Sequence, residues 1–553
     1  MNTSRPFFKL SLLLLFLIIF SSLAIQCRLL PKMDIQEVIP EAEVIISRMP
    51  LFAGKSNEQP VVVRWVTSGV EKPLVLERVT LIFAEGGDLA GLDTVSASYT
   101  GEASPVNFGA ALPSSGKVVL EGSTELTGNN HVLDFNLLLK SDAGLMTRFE
   151  VGAIELTFKN YKPLTVHPAE SYIHRTALLL RAAGQDSCDT YRIPGLVTTA
   201  RGTLIAVYDN RYNNSKDLQE DIDIGMSRST DGGETWEPMR VIMDMGEYGG
   251  RPERLNGVGD PSVLYDPTTH TLWVAALWIS GSAPDKMLWW ASKPGMTPEE
   301  TGQFLLVKST DDGLTWSDPI NITPKIKDPA WQLLFQGPGR GITTRDGILV
   351  FPAQFKADIG EKSLDGGAYT CHSTIVWSKD GGQSWHIGTG AKSNTTEAQV
   401  VELADGSLML NMRDDRNRSD KGASNGRAVA VTRDLGKTWT LHPSSNSALP
   451  EPNCMASLIT ADLPIGSAQQ QVLFFSNPNN KEARTNMTIK ASLDGGLSWP
   501  ETLQQELYSA PSFGYSCLTM VDENNVGILY EGTKELIFQK VPVSEILNLQ
   551  EKQ

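Results

Sequence analysis

The chain has 553 residues, more than one ordinary domain holds, so two domains or one large repeat fold are expected. Hydrophobic residues make up 41% of it and charged residues 20%, which excludes a disordered chain because there is enough apolar material for a core. The 64 acidic residues outnumber the 48 lysines and arginines, giving a net charge of −16. This balance argues against a nucleic-acid partner, and an anionic ligand would need a local cluster of arginines.

The N-terminus predicts export. Two basic residues precede the apolar run Leu10–Phe20, and small residues follow up to Ala24. This order is typical of a secretory signal peptide over residues 1–24, and the run is too short for a comfortable transmembrane helix. We therefore expect a periplasmic or extracellular protein. An outer-membrane lipoprotein attached through a lipidated Cys27 is the alternative, although Gln26 is larger than the residue that normally precedes such a cysteine.

The remaining cysteines give no metal pattern. They are widely scattered and form no Cys-x-x-Cys pair, so a zinc site is unsupported, while one or two disulfides stay open. They are Cys188, Cys371, Cys454 and Cys517.

Residues 28–170 predict an N-terminal β-sandwich. Short alternating or β-branched runs are divided by clusters of Gly, Asn, Asp and Ser, and no long helical periodicity appears. The sandwich is either a carbohydrate-binding module or a spacer packed on the second domain, and Trp65 alone does not decide between them. The runs begin at Glu43, Val61, Val79, Lys117, His131 and Ala153.

The second region carries an internal repeat. The pattern Ser/Thr-x-Asp-x-Gly-x-Ser/Thr-Trp, an Asp box, occurs five times at spacings of 54 to 80 residues, about the length of a four-stranded blade with its loops. We predict a hairpin turn in which the Asp binds turn amides, the Gly takes a positive φ and the Trp packs between neighbouring sheets. The copies are Ser229–Trp236, Ser309–Trp316, Ser378–Trp385, Thr432–Trp439 and Ser492–Trp499.

The repeats are therefore structural, not catalytic. Five marked blades and one unmarked blade predict a six-bladed β-propeller over residues 175–545 in an all-β protein. Propellers place their active sites at one end of the central channel, on loops from several blades.

The segment Tyr191–Leu196, Tyr-Arg-Ile-Pro-Gly-Leu, stands about 40 residues before the first Asp box. Together with the five boxes it resembles the Arg-Ile-Pro motif of bacterial exo-sialidases (neuraminidases) of the retaining glycoside hydrolase family 33 type, over the whole of 175–545. The resemblance implies an exo-α-sialidase that releases terminal sialic acid from glycoproteins, glycolipids and oligosaccharides. It also implies chemistry without a metal or other cofactor, and the 7 scattered histidines agree with that.

The family holds the substrate carboxylate with three arginines, a task for which the planar, always charged guanidinium is suited. Arg192 of the Arg-Ile-Pro motif matches the first. Arg413, sixteen residues after Glu397, matches the second, and Arg484, before the last box, matches the third.

The resemblance also places an acid/base. Family members carry an arginine and, six residues later, an aspartate that protonates the departing oxygen and then deprotonates the attacking water. Arg211 and Asp217 match that spacing, with Asp221 and Asp223 as neighbouring rivals for the aspartate. Arg211 is expected near the carboxylate and O4 of the sugar.

The expected nucleophile is a tyrosine. The anomeric carbon of sialic acid already bears a carboxylate, so a neutral phenol avoids the repulsion that a carboxylate nucleophile would meet. Tyr515 matches the family's Tyr-Ser-x-Leu motif, and Glu397 matches the base beside it. Tyr508 is the rival, but it lacks that context. Glu531 matches the glutamate that orients Arg192.

Substrate fit is expected from three further residues. Asp260 resembles a family aspartate near O4 and the N-acetyl group, and Trp278 and Trp289 stand where relatives keep aromatics around the N-acetyl pocket.

Three alternatives to hydrolysis use the same site: a trans-sialidase, an intramolecular trans-sialidase that forms an anhydro product, and a sialic-acid-binding propeller without turnover. The presence of Asp217, Glu397 and Tyr515 together argues against the last, because a lectin needs no such set.

Overall fold

The computed structural model describes residues 41–67, 74–159, 161–283 and 286–549, so the predicted signal peptide and Cys27 lie outside the described residues. Strands dominate these ranges, which confirms the all-β class. The α-helices within them are single turns, and none is long and apolar enough to cross a membrane. They are α1 (Leu288–Ala291), α2 (Thr323–Ile326) and α3 (Val543–Ile546).

The first ten strands enclose one apolar core between two sheets. One sheet has the order β1-β3-β8-β5-β6, and the other contains β9 flanked by β4 and, beyond it, β7. The strands are β1 (Glu41–Ile46), β2 (Leu51–Phe52), β3 (Ser56–Val66), β4 (Val75–Phe83), β5 (Leu92–Thr100), β6 (Val106–Ala111), β7 (Lys117–Glu125), β8 (Asn130–Leu139), β9 (Arg148–Phe158) and β10 (Leu164–Val166).

The six predicted runs correspond to β1, β3, β4, β7, β8 and β9, whereas the sequence did not predict β2, β5, β6 and β10. Side chains such as Val63, Leu81 and Phe135 alternate inward along the strands and form the common core. Trp65 belongs to that core and is only 2% exposed. Its ring therefore does not form a surface platform for a glycan.

Five successive antiparallel sheets follow. The first sheet contains β12 (Thr190–Thr198), β13 (Leu204–Arg211), β14 (Ile222–Ser229) and β15 (Arg240–Met243). The second contains β16 (Val258–Asp266), β17 (Thr271–Trp278), β18 (Gln303–Ser309) and β19 (Ile320–Asn321). The third is β20 (Leu333–Gln336), β22 (Ile342–Thr343), β23 (Leu349–Ala357), β24 (Thr370–Ser378), β25 (His386–Ile387) and β26 (Lys392–Ser393), while β21 (Gly339–Arg340) pairs in parallel with β16. The last two are β27 (Thr395–Glu402), β28 (Leu408–Asp414), β29 (Ala428–Thr432), β30 (Thr440–Leu441), and β31 (Ser457–Ile465), β32 (Ala468–Pro478), β33 (Met487–Ser492), β34 (Gln504–Tyr508).

A sixth group of strands joins the two ends of the chain. Strands β35 (Ser516–Asp522), β36 (Asn525–Glu531) and β37 (Leu536–Pro542) pair in order, and β37 then pairs with β11 (Ile173–Arg181) from the start of this region. Strand β11 also pairs with β9, so the sheet continues into the N-terminal strands. This arrangement is consistent with a β-propeller. The number of six blades and the boundary between the two domains stay predictions.

The described cysteines all lie buried within these sheets or beside them. They are free, so no disulfide joins Cys188, Cys371, Cys454 or Cys517.

The Asp boxes form the predicted turns. In the second box, Asp311 accepts hydrogen bonds from Ser309 Oγ at 2.8 Å and from the Thr315 amide at 2.9 Å, and Gly313 has a φ of +81°. The same set of bonds recurs in the other four boxes. The box tryptophans pack on apolar clusters of the sheets, as Trp385 does with Trp273 and Phe351. The structural interpretation of the repeat is confirmed.

We expect Asp311→Ala to cost about 1 kcal/mol of stability, because it removes a charged acceptor from two turn donors. Hydrogen bonds from Thr315 lower the pKa of Asp311 to about 2, so its contribution is complete above the unfolded-state pKa and is lost as the pH falls towards 2. Thermal unfolding should therefore separate variant from wild type at pH 7 and bring them together in acid. Asp318→Ala, an exposed aspartate two residues past the same box, is the control. A pH-independent difference would contradict this account.

Candidate active site

A cavity of about 310 Å³ opens where strands from several sheets begin. Its walls combine side chains from β12, β16, β27 and β28 with loops that precede β14, β33 and β35. The sequence-predicted residues that line it are Arg192, Asp217, Asp260, Trp289, Glu397, Arg413, Arg484 and Tyr515. Sequence positions more than 300 residues apart thus meet in one site.

Three of these strands are irregular at the residue that faces the cavity. The register of β12 with β13 shifts just after Arg192, that of β16 with β17 around Asp260, and that of β27 with β28 at Glu397. Such β-bulges re-aim a side chain out of the regular alternation. Ile193 and Asp260 have φ of +57° and +59°, a conformation rarely adopted by residues other than glycine. The bulges thus direct the predicted side chains towards a common centre.

Glu531 connects the first and last strands of the site. Its side chain is completely buried. One carboxylate oxygen accepts hydrogen bonds from Arg192 Nε at 3.1 Å and the Ile193 amide at 2.9 Å, and the other accepts from the Tyr515 amide at 2.8 Å. The predicted pairing of Glu531 with Arg192 is present, and the same carboxylate also fixes the backbone of Tyr515.

Asp217 lies on the loop between β13 and β14, with its side chain 54% exposed. One of its oxygens accepts hydrogen bonds from Arg211 Nη1 at 2.7 Å and from Arg192 Nη1 at 3.1 Å. Burial of the carboxylate would raise its pKa, but the charges of Arg211 and Arg192 outweigh that effect and lower it to about 2. In the free protein Asp217 is therefore ionised at neutral pH.

Arg211 lies next to Asp217, and its expected place near the carboxylate and O4 of the sugar stays a prediction. It is fully buried and does not line the cavity. Its Nε and Nη2 donate to one oxygen of Asp209, at 3.1 and 2.8 Å, and its Nη1 reaches Asp217. Arg211 thus lies behind Asp217, and its observed contact is with that carboxylate.

The rival acids lie elsewhere. Asp223 accepts a hydrogen bond from the Tyr212 hydroxyl at 2.9 Å, and neither Asp221 nor Asp223 lines the cavity.

Tyr515, Glu397 and Arg413 form a hydrogen-bonded triangle. The Tyr515 hydroxyl donates to Glu397 Oε1, while Arg413 Nη1 donates to Glu397 Oε2 at 2.6 Å and to the Tyr515 oxygen at 3.2 Å. Burial and the charge of Glu397 raise the pKa of Tyr515 well above its usual value, against the opposing effect of Arg413 and Arg484. The Tyr515 phenol is therefore neutral at neutral pH. Tyr508, the rival, packs in a separate apolar cluster.

Arg484 completes a set of three arginines around Tyr515. Its Nη1 donates to the Phe513 carbonyl at 2.8 Å and its Nη2 to the Asn453 carbonyl at 3.3 Å. Within the described ranges no carboxylate lies within ion-pair distance of Arg484. Its charge is therefore left for a ligand.

Asp260 lines the cavity beside Asp209. Its amide donates to Asp209 Oδ1 at 2.8 Å, and its carbonyl accepts from Gln336. Burial and the nearby charges of Asp209 and Asp217 raise the pKa of Asp260 well above its usual value.

The two predicted tryptophans separate. Trp289 lines the cavity, and its Nε1 donates to Asp365 at 2.8 Å while Lys356 Nζ lies 4.1 Å from its ring centroid. Trp278, in contrast, is 3% exposed and packs in the core between sheets, edge-on to Tyr248. Trp278 is the last residue of β17, and its burial in this core does not support a contact with substrate.

Comparisons with known proteins agree with this geometry. A family model described as a BNR repeat-like domain matches residues 202–528. A sialidase of Bacteroides fragilis (strain YCH46) is 48% identical over 433 residues, which cover 78% of this chain and 76% of that protein. This chain belongs to the sialidase family. A sialidase of Micromonospora viridifaciens is 33% identical over 64% of this chain and 51% of its own. The solved structure of the Hadza microbial sialidase Hz136 is 40% identical, covers 91% of this chain and 99% of that one, and superposes with a TM-score of 0.80.

Sequence reasoning missed two residues that hold the machinery of this sialidase. Asp209 binds both Arg211 and the Asp260 amide, and its position two residues before Arg211 on one strand places both on the same face, a signal that could have found it. Asn453 accepts from Arg413 Nη2 at 2.9 Å, and nothing in its surrounding sequence marks it.

In the part of the sialidase that the structure describes, no three His, Cys, Asp or Glu side chains are grouped so that they could hold a metal ion. Catalysis without a metal stays a prediction.

We expect Glu531→Gln to lower kcat/KM about 100-fold, because an amide brings no charge and turns an N–H towards donors that need an acceptor. Both Arg192 and Tyr515 should be displaced, so kcat should fall and KM should rise. Steady-state kinetics with an aryl sialoside measures both, with circular dichroism to verify folding. Glu523→Gln, an exposed glutamate of the same sheet, is the matched control. Activity within twofold of wild type would disprove the positioning role of Glu531.

Proposed function

We propose that this sialidase hydrolyses terminal sialic acid from glycoproteins, glycolipids and oligosaccharides with retention of configuration, through a covalent intermediate on Tyr515. The observation that carries the proposal is the Tyr515–Glu397–Arg413 triangle at the wall of a cavity that Arg192, Arg413 and Arg484 line together. Membership of the sialidase family supports the substrate and the reaction.

The arginines bind the carboxylate of the sugar. Arg192, Arg413 and Arg484 surround the Tyr515 ring, with the guanidinium carbons of Arg192 and Arg484 at 5.1 and 5.6 Å from its centroid. A carboxylate bound there lies close to the phenol oxygen. Asp260 and Trp289, which line the same cavity, contact O4 and the N-acetyl group.

The phenol suits attack at a carbon that already bears a negative group. A neutral nucleophile is not repelled by the substrate carboxylate, and Glu397 accepts its proton as the bond to the anomeric carbon forms. Arg413 donates to both partners, so it stabilises the negative charge whether it lies on the glutamate or on the developing phenolate.

Asp217 acts as the acid and then as the base. Its low pKa in the free enzyme depends on Arg192 and Arg211. A substrate carboxylate that engages Arg192 offsets part of that positive charge and raises the pKa of Asp217, so that the residue can carry a proton to the leaving oxygen. Its half-exposed side chain can also take a proton from the water that breaks the intermediate.

Release of 4-methylumbelliferone from its α-sialoside tests the assignments. Tyr515→Phe removes the nucleophile and should reduce kcat/KM by at least about 1000-fold. Asp217→Ala should cost less, about 10- to 100-fold, because the aryl leaving group needs little protonation, and should cost more on a sialyl-lactose substrate. Tyr508→Phe, a buried tyrosine outside the cavity, is the control and should stay within twofold of wild type.

Normal turnover by the Tyr515→Phe variant would contradict the proposed covalent intermediate on Tyr515. Loss of turnover in Tyr508→Phe instead would move the nucleophile to the rival tyrosine.

Product analysis separates hydrolysis from its alternatives. In H2¹⁸O we expect sialic acid that carries one heavy oxygen, and proton NMR should show the α-anomer before mutarotation. An unlabelled anhydro sugar would identify an intramolecular trans-sialidase, and transfer to added lactose in preference to water would identify a trans-sialidase. Binding of sialic acid without any product would identify a lectin.

We also propose that the enzyme is exported, on the basis of the charged, apolar and small-residue order of residues 1–24. Export places the enzyme with extracellular glycans. Attachment through Cys27 stays the alternative to a freely diffusing form.

A further inference from the structure

A second cavity, of about 390 Å³, lies at the other end of the strands that begin at the active site. We call it the channel cavity. It is lined by residues of five of these strands and by 341–343, the segment after β21. The strand residues include Thr198, Tyr265, Glu402, Thr460 and Thr519. On β12, Arg192 faces the active site and Thr198 faces the channel cavity, and six strand residues span about 20 Å. The two cavities are therefore separate.

The channel cavity contains an arginine without a counter-ion. Arg340 Nη1 donates to the Leu518 carbonyl at 3.1 Å and lies 3.5 Å from Thr519 Oγ1. Its Nε is buried and has no acceptor among the described residues, and Nη2 has no partner there either. Over the same ranges no carboxylate comes within 4.0 Å of this guanidinium. Burial lowers the pKa of Arg340 from its usual value.

The other charges around the cavity do not supply the missing partner. Arg345 Nε lies 3.3 Å from Glu402 Oε1, and the Arg345 amide donates to Glu402 Oε2 at 2.8 Å, so these two neutralise each other. Asp462 also lines the cavity, but it is exposed and makes no ion pair with Arg340. Among the charged residues that line the cavity, Arg340 and the exposed Asp462 are therefore left without an ion pair, and only Arg340 has a buried donor without an acceptor.

Arg340 is half-buried, but its Nε is a buried donor without an acceptor, which is costly, and proteins normally pair such groups. A guanidinium binds carboxylate and phosphate oxygens particularly well, because its donors match their geometry. We propose that the channel cavity binds a small oxyanion, a carboxylate or a phosphate group, on Arg340. The anion would sit on the central axis between strands of several sheets and hold their far ends together.

Thermal unfolding of the full-length enzyme tests this, with sodium phosphate and sodium acetate as separate probes against sodium chloride at equal ionic strength. Saturating free sialic acid occupies the active-site arginines, and because it is itself a carboxylate, each titration is repeated without it and with Arg340→Gln to separate binding at the two sites. We expect a saturable rise in Tm with at least one oxyanion and none with chloride. Whether phosphate or acetate gives the larger rise identifies the class of anion.

Arg340→Gln should weaken the response at least tenfold while sialidase activity stays within twofold of wild type. Arg345→Gln, at the same cavity but already paired, should keep the response. A response of the same size in wild type and Arg340→Gln, or one that chloride reproduces, would overturn the proposal. Should Arg340→Gln fail to fold, equilibrium dialysis of wild type with radiolabelled phosphate and, separately, radiolabelled acetate decides: one anion per chain beside bound sialic acid supports the site, and binding of neither refutes it.

Discussion

The buried carboxylate of Glu531 is the constraint on which the active site depends. It is the last residue of β36, yet its hydrogen bonds reach Arg192 and Ile193 on β12 and the Tyr515 backbone before β35. A completely buried carboxylate is tolerable only when it is paired and bonded, and here the partners are Arg192, Ile193 and the Tyr515 backbone. The strained φ of Ile193 persists because this acceptor holds its amide. One side chain thus links strands from the two ends of this region and positions two of the predicted site residues.

The site balances charge in pairs, and substrate binding shifts that balance. Arg192 is bonded to Glu531 and Asp217, and Arg413 to Glu397, whereas Arg484 binds only carbonyls. The free site is therefore held together by its own carboxylates while one guanidinium is left for the ligand. Of the two arginines bonded to Asp217, only Arg192 lines the cavity. Under the proposed mechanism, a substrate carboxylate on Arg192 would raise the pKa of Asp217 and favour proton transfer in the bound state.

Sequence predicted the parts of the fold whose causes are local. The hydrogen bonds of an Asp box join residues that are close in sequence, as those from Ser309 and Thr315 to Asp311 show. Its turn could therefore be inferred from its pattern alone. Strand β5 was not predicted because its serines and threonines obscure the alternation of apolar and polar residues, although buried and half-buried side chains do alternate along it. The site residues were found because the resemblance supplied spacings. The resemblance could not predict how deeply each side chain is buried. Arg211 lies behind Asp217 and Trp278 faces the core, because packing across sheets decides both positions.

The two ends of the inner strands differ in whether their arginines are paired with carboxylates. Bulges at Arg192, Asp260 and Glu397 turn polar side chains into the active-site end, and buried acids meet the arginines there. At the far end the Asp boxes bind their own turns. Arg340 at that end has only carbonyl and hydroxyl partners among the described residues, and its buried Nε has none. In the proposal above, an external oxyanion supplies the acceptor that the sheets do not.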